Sequence, residues 1–160
     1  QHTTCRRQRQ MCIRDRLNPL LMSTNKSNDV VLKSISNNLL VEDVNATLSY
    51  YETLGFTTKM KSPESGVCHW ALVEKDGVRL MFQSATSLKK EFPELSKQSA
   101  GGALTLWIQV QQITDYYASL PEGVNVIRPL GVTEYNGATE FVIQDLNGFI
   151  LHFSDFDLGV

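Results

Sequence analysis

Few side chains in this chain are of a type and placement to do chemistry. His69, Glu140 and His152 supply two imidazoles and one carboxylate, a donor set that divalent iron and related ions accept at an open site. Without a metal, Glu140 or His152 could still act as a general base, since an imidazole or carboxylate poised near neutrality can take a proton from a substrate C–H. The plainer roles are structural. A single histidine on a strand usually satisfies a hydrogen bond, and Glu140 could pair with His69 or Arg79 or hold a polar ligand group. Cys68 stands apart from the other two cysteines, Cys5 and Cys12, so the body of the chain has neither a disulfide framework nor a thiolate cluster for a metal.

Composition sets the context for these groups. The chain has 160 residues, 42% hydrophobic and 20% charged, which suits one globular domain with a real core. No apolar run approaches the roughly 20 residues a membrane helix needs. The formal charge of −2 is uneven. Residues 1–21 carry Arg6, Arg7, Arg9, Arg14 and Arg16 against Asp15, whereas the remainder has 10 basic and 16 acidic residues. An acidic body argues against a general nucleic-acid or anionic-membrane surface and favours cationic ligands at long range. One body cysteine fits a reducing compartment, so a cytoplasmic protein is expected. Met22-Ser-Thr-Asn reads as a start. Residues 1–21 are expected to lie outside the working protein, and residues 1–30 to form a disordered tail.

The elements that must position the candidate groups come in two sets. Val31 to Val41 reads as a strand, with Ile35, Leu39 and Val41 alternating inward. Asp43 is a good N-cap for a helix from Val44 to Leu54, and Gly55 can stop it. Strands follow at Phe56–Lys61, Val67–Glu74 and Val78–Ser84, the last two joined by an Asp-Gly turn. Ala85–Gly102 reads as a connector with a helical turn near Leu88–Phe92. The order then repeats: a strand at Ala103–Val110, a helix at Ile113–Leu120, and strands at Val124–Pro129, Ala138–Gln144 and Phe149–Ser154, with Gly131–Gly137 irregular. An offset of 69 superposes Ile35, Leu39, Val41, Val44, Leu48 and Tyr51 on Leu104, Ile108, Val110, Ile113, Tyr117 and Leu120. An offset of 71 superposes Trp70, Leu72, Gly77, Leu80 and Phe82 on Phe141, Ile143, Gly148, Leu151 and Phe153. So many matches in one element order indicate an internal duplication, with two extra residues expected in the Gly131–Gly137 connection.

The stretches LLVEDVNATLSYYETLGF, GVRLMFQ, LTLWIQV and TEFVIQDLNGFILHF resemble the vicinal oxygen chelate superfamily, which spans glyoxalase, bleomycin-resistance and dioxygenase proteins. The wording is most similar to its bleomycin-resistance-like and glyoxalase-like single-domain members. The resemblance implies an α+β fold of two tandem β-α-β-β-β modules forming a cupped mixed sheet with helices outside. Module one would span about 32–84, the connector 85–102 and module two about 103–156, within a domain of 31–160. It also implies a ligand in the cup. Strand alternation would then turn Leu39, Val41, Trp70, Leu72, Leu80 and Phe82 toward the helices. Asn38, His69, Arg79, Met81, Gln83, Trp107, Gln109, Glu140 and His152 would face the ligand, with Trp107 as the stacking aromatic.

Metal-dependent members of that superfamily carry His, Gln or Glu at four strand positions, which the resemblance places at Ser36, Met81, Thr105 and His152. Only His152 is a good donor, so no metal and no other cofactor is expected there. The expected function is a metal-free small-molecule-binding protein of the sequestration type, working as a homodimer, with no nucleic-acid or membrane partner. The alternative is a lyase or isomerase that uses a rearranged metal at His69, Glu140 and His152, or Glu140 or His152 as a base.

Overall fold

The computed structural model describes residues 33–134 and 136–159, so the expectations for the N-terminal tail lie outside the described residues. Two β-α-β-β-β modules follow one another. Module one contains β1 (Asn37–Val41), α1 (Val44–Thr53), β2 (Thr57–Ser62), β3 (Trp70–Lys75) and β4 (Val78–Ser84). Module two contains β5 (Thr105–Gln109), α3 (Ile113–Ala118), β6 (Asn125–Val132), β7 (Thr139–Gln144) and β8 (Ile150–Ser154). Each module is a four-stranded mixed sheet, ordered β1-β4-β3-β2 and β5-β8-β7-β6, in which only the first strand runs parallel to its neighbour. The parallel pairing follows from the crossover through α1 or α3. Between the modules, α2 (Ala85–Glu91) and a 3-10 turn (Pro93–Leu95) replace the single helical turn expected near Leu88. No helix among the described residues is long and apolar enough to cross a membrane.

Local chemistry explains α1. The Asp43 carboxylate accepts the Ala46 N–H at 3.0 Å, and Val44, Thr47, Leu48 and Tyr51 form its buried face. Gly55 ends the helix with φ +88°. Tyr51 packs its ring 4.6 Å from Phe82 and 5.5 Å from Phe56. In module two, Phe141 stacks on Phe153 at 4.6 Å, with Tyr116 and Tyr117 edge-on from α3. Both sets belong to one core. The side chains of Phe82, Phe141 and Phe153 are almost fully buried, each contributing about 1.5–3 kcal/mol. The modules are also clasped by polar bonds. Tyr51 OH donates to Asp145 Oδ2 at 2.9 Å, and Asn147 Nδ2 donates to Thr47 Oγ1 at 3.0 Å.

Three sequence expectations are corrected. Ile35 is 90% exposed and precedes β1, so the inward alternation begins at Leu39. β3 is one residue out of phase with the expected pattern. Ala71 and Val73 face the helices and are buried, whereas Trp70 and Leu72 lie on the opposite face beside Gln83 and Met81. The repeat offset is therefore 70 for β3 onto β7, which makes Trp70 the counterpart of Glu140, not His69. One of the two extra residues of module two consequently sits in the β7–β8 hairpin. The cause is geometric: a slip of one residue turns every side chain of a strand over, and a run such as VCHWALVE is apolar on both parities.

Candidate functional site

Each sheet packs one face on the helices and leaves the other open. The open faces are where the candidate residues must be sought. In module two, cross-strand pairing sets a row of four side chains on that face: Arg128 on β6, Val142 on β7, His152 on β8 and Trp107 on β5. Neighbouring strands are about 4.8 Å apart, so the row spans roughly 14 Å at Cα level. Arg128 reaches this face because of a β-bulge. Val126 pairs with Ile143 on the helix side, yet Arg128 pairs with Val142 on the open side, so Ile127 is the extra residue that flips the parity. Without it the guanidinium would point into the aromatic core.

Behind the row lies a buried polar pair. Glu140 is 2% exposed; its Oε1 accepts the Ser154 hydroxyl at 3.0 Å, and its Oε2 lies 3.0 Å from His152 Nε2. That oxygen is off the direction in which a ring N–H would point, so the contact is a close polar pairing rather than an aligned hydrogen bond. A cavity of about 340 Å³ opens beside His152, lined by Thr105, Ile127, Arg128, Val142 and Ile150.

Module one repeats the bulge, between Thr58 and Met60, but not the chemistry. Its corresponding row is Met60, Leu72, Met81 and Asn38, three apolar side chains and one amide. At the next level Gln83 is buried and fully engaged. Its Oε1 accepts from Asn38 Nδ2 at 2.7 Å, and its Nε2 donates to Ser87 Oγ at 3.0 Å and Glu91 Oε2 at 2.9 Å. These bonds hold α2 against that end of the open face. Arg79 is exposed and pairs with Glu74 at 2.7 Å, an interaction that lowers the Glu74 carboxyl below its ordinary range. His69 is exposed in the loop before β3, and Cys68 beside it is buried, with Sγ 3.0 Å from the Trp70 carbonyl.

The structure thus gathers Trp107, Glu140 and His152 at one place, with Gln109 on the neighbouring β5 edge, and adds Arg128, Val142, Thr105 and Ile150. It gathers Asn38, Met81 and Gln83 at another, and leaves His69 and Arg79 outside both. Arg128 escaped the sequence reading because nothing in VNVIRPLG announces a bulge. Of the metal-equivalent positions, Ser36 precedes β1, Thr105 begins β5, and Met81 and His152 sit at corresponding points of the two sheets. Two hydroxyls, a thioether and one imidazole do not fit a divalent ion. Among the described residues no three His, Cys, Asp or Glu side chains converge on one point, the rearranged His69, Glu140 and His152 set included.

A larger cavity, about 680 Å³, lies where the two modules meet, walled by Lys75, Asp76, Gln109, Gln112, Tyr116 and Phe56. Several of its polar groups are already engaged. Lys75 lies 3.8 Å from Asp76, and Tyr116 OH donates to the Leu54 carbonyl at 3.3 Å. Burial, with Tyr50 and Asp76 nearby, pushes the Tyr116 phenol up to about 12. The smaller cavity, where charged and apolar groups converge on an open sheet face, is the candidate site.

Duplicated β-α-β-β-β modules, each leaving one sheet face open, define the class of fold. Residues 31–153 match the family model of the glyoxalase/bleomycin resistance protein/dioxygenase superfamily, and the chain belongs to that superfamily. Solved structures agree at the level of fold. The chain is similar to TioX from Micromonospora sp. ML1, with 16% identity, TM-score 0.61, and coverage of 77% of this chain and 98% of that one. It is also similar to a glyoxalase/bleomycin resistance protein/dioxygenase from Nocardioides, with 20% identity, TM-score 0.62, and coverage of 82% and 88%. A bleomycin-binding protein from Streptomyces verticillus, solved with copper(II)-bleomycin, matches with 20% identity, TM-score 0.56, and coverage of 80% and 99%. No curated protein matches the chain.

Proposed function

We propose that the chain binds a small molecule over its open sheet faces, without the superfamily's metal, and does so as a homodimer. The observation that carries this reading is the module-two face, where a cavity of about 340 Å³ is bounded by one imidazole, one guanidinium, one hydroxyl and apolar side chains. The bleomycin-bound neighbour supports it by showing that the fold accommodates such a ligand. The sheet edges support the dimer. β1 and β5 are edge strands within the chain, and each is preceded by an exposed apolar residue, Ile35 or Leu104. A second copy would cover these edges and supply a facing wall.

Metal analysis and light scattering of the purified chain test this together. Metal-free protein at twice the chain mass, with ligand-dependent thermal shifts, is the expected result. A stoichiometric divalent ion that is lost in both Glu140→Ala and His152→Ala would overturn the metal-free reading, and a monomer would overturn the dimer.

The 3.0 Å approach of His152 and Glu140 carries a second reading, in which the imidazole takes a proton from a bound C–H acid and Glu140 orients it. That reading expects deuterium from solvent to enter the bound molecule, and to stop entering in His152→Gln. Full occupancy with no exchange would leave binding alone.

A further inference from the structure

The net charge of the chain and the local charge of the cavity have opposite implications. The body is acidic, which taken by itself favours cationic ligands. The cavity is not. Its lining is Thr105, Ile127, Arg128, Val142, Ile150 and His152, with no carboxylate. The nearest acid, Glu140, is buried and already engaged by Ser154 and His152. Arg128 makes no ion pair with any described residue. Its guanidinium therefore stands on the open face with its donors free, beside an apolar floor of Val142 and Ile150. Distance decides between the two fields. At physiological salt, exposed charges are screened over about 8 Å. A guanidinium in direct contact with a ligand anion is screened far less, and its fork matches a carboxylate with two parallel bonds.

We propose that this cavity selects an apolar molecule bearing one carboxylate, the carboxylate seated on Arg128 and the apolar body lying over Val142 and Ile150 toward His152. This rests on the small-molecule reading above and deepens it by naming the ligand class. The bulge at Ile127 has a function in this scheme, because it delivers a cation without an ion pair among the described residues to the open face. Module one has Met60 where module two has Arg128, and the cation at its own bulge, Lys59, is paired with Glu74 at 3.8 Å. The carboxylate preference accordingly belongs to module two alone.

Calorimetric titration of the full chain with three probes of one shape tests this: 2-naphthoate, 2-naphthamide and 2-naphthylmethylamine. Histidine ring NMR signals, with His152 assigned through His152→Gln, report where each probe sits. Naphthoate is expected to bind roughly tenfold more tightly than the amide, the scale of one charge-assisted contact at a partly exposed site. The amine is expected to be weakest, and Arg128→Gln to remove the gap between naphthoate and amide. Each naphthoate titration should move the His152 ring signal. Equal affinities, a preference for the amine, or a carboxylate preference that survives Arg128→Gln would overturn the proposal. If the amide or amine still moves the His152 signal, the cavity remains a ligand site and only its charge preference is refuted. If no probe binds at millimolar concentration, the ligand class and this cavity's assignment as the ligand site fail together.

Discussion

Replacing Tyr51 by Phe tests the clasp between the modules with almost no change in shape. The ring keeps its packing on Phe82 and Phe56, and only the hydroxyl donating to Asp145 Oδ2 is removed. Asp145 retains two donors on Oδ1, the Asn147 and Phe149 N–H groups at 2.9 and 2.8 Å. A hydrogen bond to a charged group contributes about 1.5–3 kcal/mol, against about 1 kcal/mol for a neutral pair. Tyr51→Phe should therefore cost about 2 kcal/mol at pH 7, and about 1 kcal/mol in an Asp145→Asn background. The coupling between the two sites is then about 1 kcal/mol, read from urea denaturation of the four proteins with the slope held constant. The pH dependence has a definite sign. Burial raises the Asp145 carboxyl above its ordinary value of 3.8, with hydrogen bonds from Phe149, Tyr51 and Asn147 partly opposing it. A raised native value means that stability from this group is complete below the unfolded value and declines as pH rises through the native one. Removing Tyr51 OH raises the native value further, so the deficit of Tyr51→Phe should grow between acid and neutral pH. Additive losses in the cycle, or a deficit that shrinks toward neutrality, would refute the clasp as a bond to a buried carboxylate.

Other outcomes follow from single sites. Gly101 has φ +83°, and a Cβ there would lie 2.9 Å from the Asn147 carbonyl oxygen, so Gly101→Ala should cost more than about 1 kcal/mol by thermal or urea unfolding. An unchanged midpoint would show that the connector is not pressed against the β7–β8 hairpin. Gln83→Leu leaves Asn38, Ser87 and Glu91 without their shared partner, and should cost about 1–3 kcal/mol while hydrogen exchange accelerates in α2. Unaltered protection of Ala85–Glu91 would mean that the amide does not hold the helix. Tyr50 and Tyr116 are each pushed up to about 12, in both cases chiefly by burial, so their phenols should ionise near pH 12 in an absorbance titration at alkaline pH. Because these native values are raised, the stability they carry is lost as pH climbs through them, and unfolding should accompany the late step. Both phenols titrating near 10 in folded protein would contradict the packing of α1 and α3.

The fold was legible where local signals and the repeat agreed. Asp43, the buried Val44, Leu48 and Tyr51 of α1, Gly55, the Asp76-Gly77 turn and the bounds of β4 could all be read from residue type and spacing. Legibility ended where one residue of phase decided the outcome. VCHWALVE permits either parity, and only pairing with β4 selects the one that buries Ala71 and Val73. β6 carries the same difficulty in its bulge, which is why Glu140, His152 and Trp107 could be named from sequence and Arg128 could not. Gln83 shows a third limit. Its type marks it as a possible ligand group, but its bonds to Asn38, Ser87 and Glu91 depend on where α2 folds.

The two copies differ in a way that separates architecture from function. On the helix side most strand positions keep like for like: Leu80 corresponds to Leu151, Phe82 to Phe153 and Val73 to Ile143, all buried, with Ala71 against Phe141 the exception. Even the bulge recurs, between Thr58 and Met60 and between Val126 and Arg128. On the open side only Leu72 and Val142 keep their character, and Met60, Met81 and Asn38 stand against Arg128, His152 and Trp107. Close packing explains the first half, since a methylene gained or lost in a filled core costs stability in either copy. The open side has no such constraint from its own module, because no helix covers most of it. A duplicated scaffold can therefore hold its geometry while one face turns apolar and soft and the other cationic and aromatic. If a second copy brings unlike faces together, a bound molecule meets an apolar wall on one side and a directed charge on the other. Exchanging Met60 and Arg128 between the modules should then move the carboxylate preference to module one while the core, and the unfolding midpoint, change little. Loss of that preference with no reappearance on the other face would show that the bulge alone does not make the site.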